Sequence, residues 1–356
     1  MRNPGIILSI AIAGAFLAVA PVFGQNKPAA TNAPKAAAAP AVAQNKPAAT
    51  NAPAAVTAPE QSSLVVGALQ IGSVPNLVIH GVDISVASNS IAYSYYFENT
   101  GSTELGLTAS VSLPSLEASA DGSETWVLGS NDPENPIGLS ITAAGAPVTT
   151  KAEVHAYALD LDRLAEIKAE RLPLIPFGPA LDKALAALSP EAAARLAALG
   201  LISPPNPAQP KAVPIADWTL EVVHSWRQVL PPRKTTPIVV KFTPVVAQYK
   251  LGKGDEQDIA DMKDDVCIKP PVLNALRSRL RGGGSWKVTD ISIDNEAPAH
   301  WIDSPNPTLS VQKPTANAIV AFCGMDDKTA SKPAVLGVAP DDSDEIRIAT
   351  FEPAAK

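Results

Sequence analysis

A chain of 356 residues with a formal net charge of −7 presents no basic field to a nucleic-acid backbone, and it contains no Lys/Arg block with interleaved aromatics, so nucleic-acid binding is not expected. Hydrophobic residues make up 46% of the sequence, enough at this length for one large core or two modest ones.

The N-terminus reads as an export signal. Arg2 supplies a positive start, residues 6–20 form a short apolar run, and Val22-Phe23-Gly24 places small residues where a signal peptidase cuts. Residues 1–24 are therefore expected to be a signal peptide, the mature chain to begin at Gln25, and the protein to be periplasmic or secreted. The competing reading is a retained anchor, because the apolar run continued through Phe23 approaches the roughly 20 residues that span a bilayer. No second spanning segment follows. Residues 25–34 read QNKPAATNAP and recur at 44–53, making residues 25–60 a duplicated Pro/Ala tether. Prolines at 28, 34, 40, 47, 53 and 59 interrupt each possible helical turn, and almost no large apolar residue is available to bury. A semi-extended spacer and a neutral disordered tail both fit that composition.

Order is expected from about residue 61. Residues 64–69, 77–86, 90–98 and 105–113 are short runs rich in β-branched or aromatic residues between Gly, Pro, Asn and Ser punctuation, which predicts strands. In the third run Ile91, Tyr93, Tyr95 and Phe97 fall on one face, and Asn99-Thr100-Gly101-Ser102 carries the chemistry of a tight hairpin turn. A strand over 151–159 closes this N-terminal β-rich part, residues 61–159.

Residues 160–214 are predicted to form a helical insertion and Pro-rich loop. Helical spacing runs through 160–171, 179–188 and 190–199, with Ser189-Pro190-Glu191 as a start signal and Gly200 as a C-terminal cap. Residues 215–356 return to β character at 218–229, 238–246, 286–293, 308–311, 318–322 and 346–351, with residues 230–234 reading as a hairpin link. The fold class is thus mainly β with a helical insertion (α+β), of antiparallel β-sandwich type, in one or two sandwiches.

Cys267 and Cys323 are the only cysteines. In an oxidising compartment an even pair in one region reads as a disulfide. His80, His155, His224 and His300 show no metal-ligand spacing, and no G-x-S-x-G elbow is present, since Gly283-Gly284-Ser285-Trp286 continues to Lys287. The acids Asp255, Glu256, Asp258, Asp261, Asp264 and Asp265 lack EF-hand spacing and read as a solvated charged loop. Residues 341–345 read as an acidic turn. Gly252-Lys253-Gly254 and the triplet 282–284 read as turns rather than phosphate cradles. Trp126, Trp218, Trp226, Trp286 and Trp301 are expected mostly in the core, with sugar stacking the lesser alternative. No catalytic, cofactor-binding or metal residue is assigned.

The order of landmarks resembles a bacterial envelope family known as domain-of-unknown-function family 4424. Those landmarks are Gly67-Ala68-Leu69, the strand from Tyr93 to Asn99, Leu113-Pro114, Trp218-Thr219-Leu220, Trp226-Arg227-Gln228, Cys267-Ile268 and Phe322-Cys323-Gly324. The chain departs from the family pattern at Lys269, where an acid tends to follow the Cys-Ile pair, and in having Gly67-Ala68 for a glycine pair. The resemblance implies an envelope location and a β-rich fold, and brings no established activity.

These features predict a non-catalytic binding or structural module on a tether, working through an envelope protein or polymer, with no cofactor. The alternative is a periplasmic hydrolase whose site is assembled from distant residues. Intact mass after export should begin at Gln25; recovery of residues 1–24 in a membrane-bound product would instead establish the anchor.

Overall fold

Alternation of inward and outward side chains decides the layers. The computed structural model describes residues 63–72, 74–118, 126–203, 214–294, 306–339 and 345–354. The expected signal and tether lie outside the described residues, as do His300, Trp301, residues 341–344 and most of the Pro-rich loop.

The longer strands are β1 (Leu77–Ala87), β2 (Ser90–Asn99), β3 (Leu105–Ser112), β4 (Ser140–Ala143) and β5 (Lys151–Ala158). After the helical segment come β6 (Thr219–Leu230), β7 (Lys234–Phe242), β8 (Val245–Leu251) and β9 (Ser285–Asp294). The last are β10 (Thr308–Gln312), β11 (Ile319–Phe322), β12 (Ala334–Val338) and β13 (Glu345–Ala354). The first sheet runs β12-β10-β1-β2-β7-β4, with Ala146–Pro147 at its edge. The second places β3, β6 and β5 between the short strands Gln70–Ile71 and Leu161–Asp162. The third runs Ser63–Leu64, β8, β9, β13, β11. Among the described residues, pairing is antiparallel except that β10 lies parallel to β1.

Ile91, Tyr93, Tyr95 and Phe97 all point inward from β2, as their spacing predicts. Tyr93 stacks on Tyr95 at 6.0 Å and on Phe242 at 6.1 Å. They share one core with Leu107, Ala109 and Val111 of β3 and with Leu220, Val222 and Trp226 of β6. Full burial of each large side chain contributes about 1.5–3 kcal/mol. Ile291, Ile293, Ile346 and Ile348 of the third sheet join the same core. Because β6 and β7 take interior places in sheets begun by β1 to β5, both strand groups build the same sandwich.

Two turns differ from expectation. The sequence predicts hairpins at residues 99–102 and 230–234, yet each passes the chain from one sheet to the other: β2 and β7 are in the first, β3 and β6 in the second. Locally a hairpin and a corner need the same backbone reversal, and only long-range pairing separates them. The corners lie side by side, stitched by buried Asn99. Its Nδ2 donates to the carbonyls of Thr103 (2.8 Å) and Leu230 (3.0 Å), its Oδ1 accepts from Gly101 N (2.9 Å), and its own carbonyl accepts from Arg233 N (2.6 Å).

Other boundaries shift for identifiable reasons. The expected strand 64–69 is reduced to Ser63–Leu64 and Gln70–Ile71, since the chain between them leaves the third sheet for the second. The expected helix 160–171 shortens to α1 (Leu164–Ala169), because Leu159 and Asp160 take φ of 51° and 60° and fold Leu161–Asp162 back onto β5. Helices α2 (Pro179–Ala186) and α3 (Pro190–Ala198) form, and the Ser189 hydroxyl accepts from Ala192 N at 3.2 Å. Their apolar faces bury Leu181, Leu185 and Leu196 around Trp218, whose Nε1 donates to the Leu174 carbonyl at 2.8 Å. The expected strand 238–246 is two strands, broken between Phe242 and Val245.

The acidic stretch is not merely a loop. It contains α4 (Glu256–Asp261), with Ile259 buried, followed by α5 (Pro270–Arg281), which sequence reading missed. Its signals were present: prolines in the first turn, and Leu273, Leu276 and Leu280 at helical spacing. Together these helices cover Trp286, Val288 and Phe351 on the outer face of the third sheet.

Asn99→Asp keeps the shape but sets an oxygen against two carbonyls. It should lower unfolding free energy by about 2–4 kcal/mol, measured by urea denaturation; a change within experimental error would show that the stitch is dispensable.

Candidate functional site

Cys267 and Cys323 are joined, with an S–S distance of 2.05 Å, linking the α4–α5 connector to the end of β11. Around the connector, Val266 N donates to Met262 O (3.2 Å) and Ile268 N to Lys263 O (2.8 Å). That pattern closes over a residue in the left-handed region, and Cys267 occupies it with φ 51°. Glycine ordinarily fills such a place. Beyond Cys323, Gly324 has φ 84°, and a Cβ there would lie 1.9 Å from the Val338 carbonyl oxygen. The Phe322-Cys323-Gly324 landmark thus combines a core ring, a cross-link and an obligatory glycine.

The same connector is tied down ionically. Arg347 on β13 donates from Nη1 to Asp265 (2.5 Å) and from Nη2 to buried Asp290 on β9 (2.6 Å). Burial pushes the Asp290 carboxyl above the usual carboxylate range, against the pull of Arg347. Lys269 pairs with Asp327. Asp265 and Lys269 therefore serve the connector and its surroundings, and among the described residues no group of three or more His, Cys, Asp or Glu side chains is placed to hold a metal.

Each described histidine has partners. His80 Nε2 meets Glu98 at 2.6 Å across β1 and β2. His155 Nδ1 meets Asp162 at 2.9 Å, and that hydrogen bond holds the imidazole above its ordinary value while lowering Asp162. Buried His224 on β6 donates from Nε2 to the Glu134 carbonyl at 2.8 Å and meets the Thr150 hydroxyl through Nδ1 at 2.8 Å. The structure does not bring the described histidines together. The described tryptophans are likewise packed: Trp226 Nε1 donates to Gln228 (3.3 Å), and Trp286 Nε1 donates to the Leu276 carbonyl (3.1 Å) beneath the Arg279 guanidinium.

A crevice opens where the third sheet meets the end of the first. Gln248, Thr289 and Thr350 form a row across β8, β9 and β13, because their register pairs Gln248 with Thr289 and Thr289 with Thr350. One row along, Lys287 faces Glu352 with Nζ 3.8 Å from Oε1. Opposite lie Ser88 and Gln312, over an apolar floor of Val86, Ile291 and Val311. Apolar floor and convergent polar walls are the usual make-up of a ligand site. Sequence reading missed these residues. Their alternation on β9 was visible, but polar positions on a strand read as solvent-facing until another sheet is seen to cover them.

Cys267→Ser and Cys323→Ser should each lower stability by about 2–4 kcal/mol relative to the oxidised protein. Cys267→Gly should cost about 1 kcal/mol less than Cys267→Ser, since glycine relieves the left-handed backbone. Non-reducing peptide mapping with thermal melts checks both, and equal melting of the two position-267 variants would remove the backbone argument.

Among the described residues no helix is long and apolar enough to cross a membrane. No curated protein matches the chain. Among solved structures, a crystal structure of a "putative nutrient binding protein" from Legionella pneumophila is similar at 11% identity and a TM-score of 0.38, over 81% of this chain and 72% of that one. The model of the family described as Domain of unknown function (DUF4424) matches residues 60–342, and the chain belongs to that family.

Proposed function

We propose that this protein is exported through residues 1–24 and works outside the cytoplasm, periplasmic or secreted, as a non-catalytic binding module held on the 25–60 tether. Its partner is an envelope protein or polymer. The crevice carries this reading: polar side chains from three neighbouring strands converge over an apolar floor at the junction of two sheets. An extracytoplasmic location also suits a cross-linked connector, whose cysteine bond persists in oxidising surroundings. The tether gives the domain reach without adding to its core.

One contact supports the hydrolase alternative. Thr150 Oγ1 lies 2.8 Å from His224 Nδ1, and Glu134 O orients the opposite ring nitrogen, which is the local geometry of an activated hydroxyl. Burial of His224 and its bond to a loop carbonyl give the same contact a structural role, since it fixes residues 134 and 150 against β6.

The full chain, assayed on ester, peptide and glycan substrates with and without divalent metals, should show no saturable turnover. Saturable hydrolysis abolished by Thr150→Val in a still-folded protein would establish the hydrolase instead.

A further inference from the structure

We infer that the crevice recognises the head group of an α-amino acid, an ammonium and a carboxylate on one carbon. This rests on the binding reading above and adds the chemistry of the ligand.

Opposite charges stand side by side at the crevice on neighbouring strands. Lys287 and Glu352 are register partners of β9 and β13, and their 3.8 Å separation is long for a charge-assisted hydrogen bond. Their side chains are 48% and 19% exposed, so the pair contributes little as a surface ion pair and gives way readily to a better partner. A zwitterion supplies both partners together: its carboxylate accepts from the Lys287 ammonium, and its ammonium donates to the Glu352 carboxylate. Each contact can then shorten to about 2.8 Å. A ligand with one charge satisfies one residue and strands the other.

The second row sets the size. Residues two apart on one strand are about 7 Å apart, so Gln248, Thr289 and Thr350 lie one small side chain beyond the charged pair. Their amide and hydroxyls meet a short polar substituent, while Val86, Ile291 and Val311 receive its carbon atoms. Among the described residues, those lining the crevice include no aromatic ring, so they offer a sugar no stacking platform of the kind it ordinarily uses.

Two sources carry this head group outside a cell: free amino acids, and the free end of a diamino acid in a cell-wall peptide. Heteronuclear NMR of the full chain, following the Thr289 and Thr350 methyls, separates them using L-serine in one arm and a diaminopimelate-containing muropeptide in the other. N-acetylserine, serine methylamide and glycerol are the controls. One or both zwitterions should shift these methyls saturably, and the capped forms should bind at least about tenfold more weakly, as loss of a charge-assisted contact requires. Lys287→Met and Glu352→Gln should each produce a similar loss; if either variant misfolds, the capped ligands on the unaltered chain decide the matter. Equal binding of glycerol or the capped forms at these methyls overturns the zwitterion class but leaves a binding module. No perturbation by any probe overturns the site. Release of methylamine from the methylamide would overturn the non-catalytic reading itself.

Discussion

The sandwich depends on a single buried amide at one end. Asn99 is the last residue of β2, and its side chain reaches the last carbonyl of β6 while its own carbonyl receives Arg233 N, just before β7. Without these bonds, two inter-sheet passages would leave polar backbone groups buried and unpaired at the same place, each costing about 1–3 kcal/mol. The tyrosine-rich face of β2 and the strands opposite it keep their facing register because both ends of the passage are held together. Hydrophobic burial supplies the bulk of the stabilisation, while the amide fixes the two corners against each other.

The third sheet is held differently. One face contributes isoleucines to the common core, and the other is covered by α4 and α5. Such a short helical pair is marginal by itself, since isolated helices need roughly 12–15 residues or more to persist in water. Its connector is fixed by the cysteine bond, by Arg347 between Asp265 and Asp290, and by Lys269 with Asp327. A buried carboxylate such as Asp290 is costly unless paired. The guanidinium therefore joins the cover to the sheet while neutralising the sheet's own charge.

Much of the sandwich was legible in the sequence because alternation is a local property. The inward set of Ile91, Tyr93, Tyr95 and Phe97 could be read from seven residues, and the Ser189 cap from three. Corners at 99–102 and 230–234 were not legible, since the turn chemistry is the same whether the next strand pairs with the last or crosses to another sheet. α4 was hidden by its charge: the acids dominate the stretch, and Ile259 with Met262 is too sparse an apolar pattern to declare a face. The crevice was least legible of all. Gln248, Lys287, Thr350 and Glu352 come from three strands and acquire a common address only through register.

The parallel pairing of β10 with β1 has a consequence for how the chain becomes protein. Thr308 meets Asp83 across a separation of 225 residues. Contacts of such range cost chain entropy before they return anything, so they form late and slow the whole process. Until residues 308–312 arrive, β1 presents an open hydrogen-bonding edge that any extended chain can join. Loss of the C-terminal segment would thus do more than shorten the fold, because it would leave the earliest strand of the first sheet exposed to self-association.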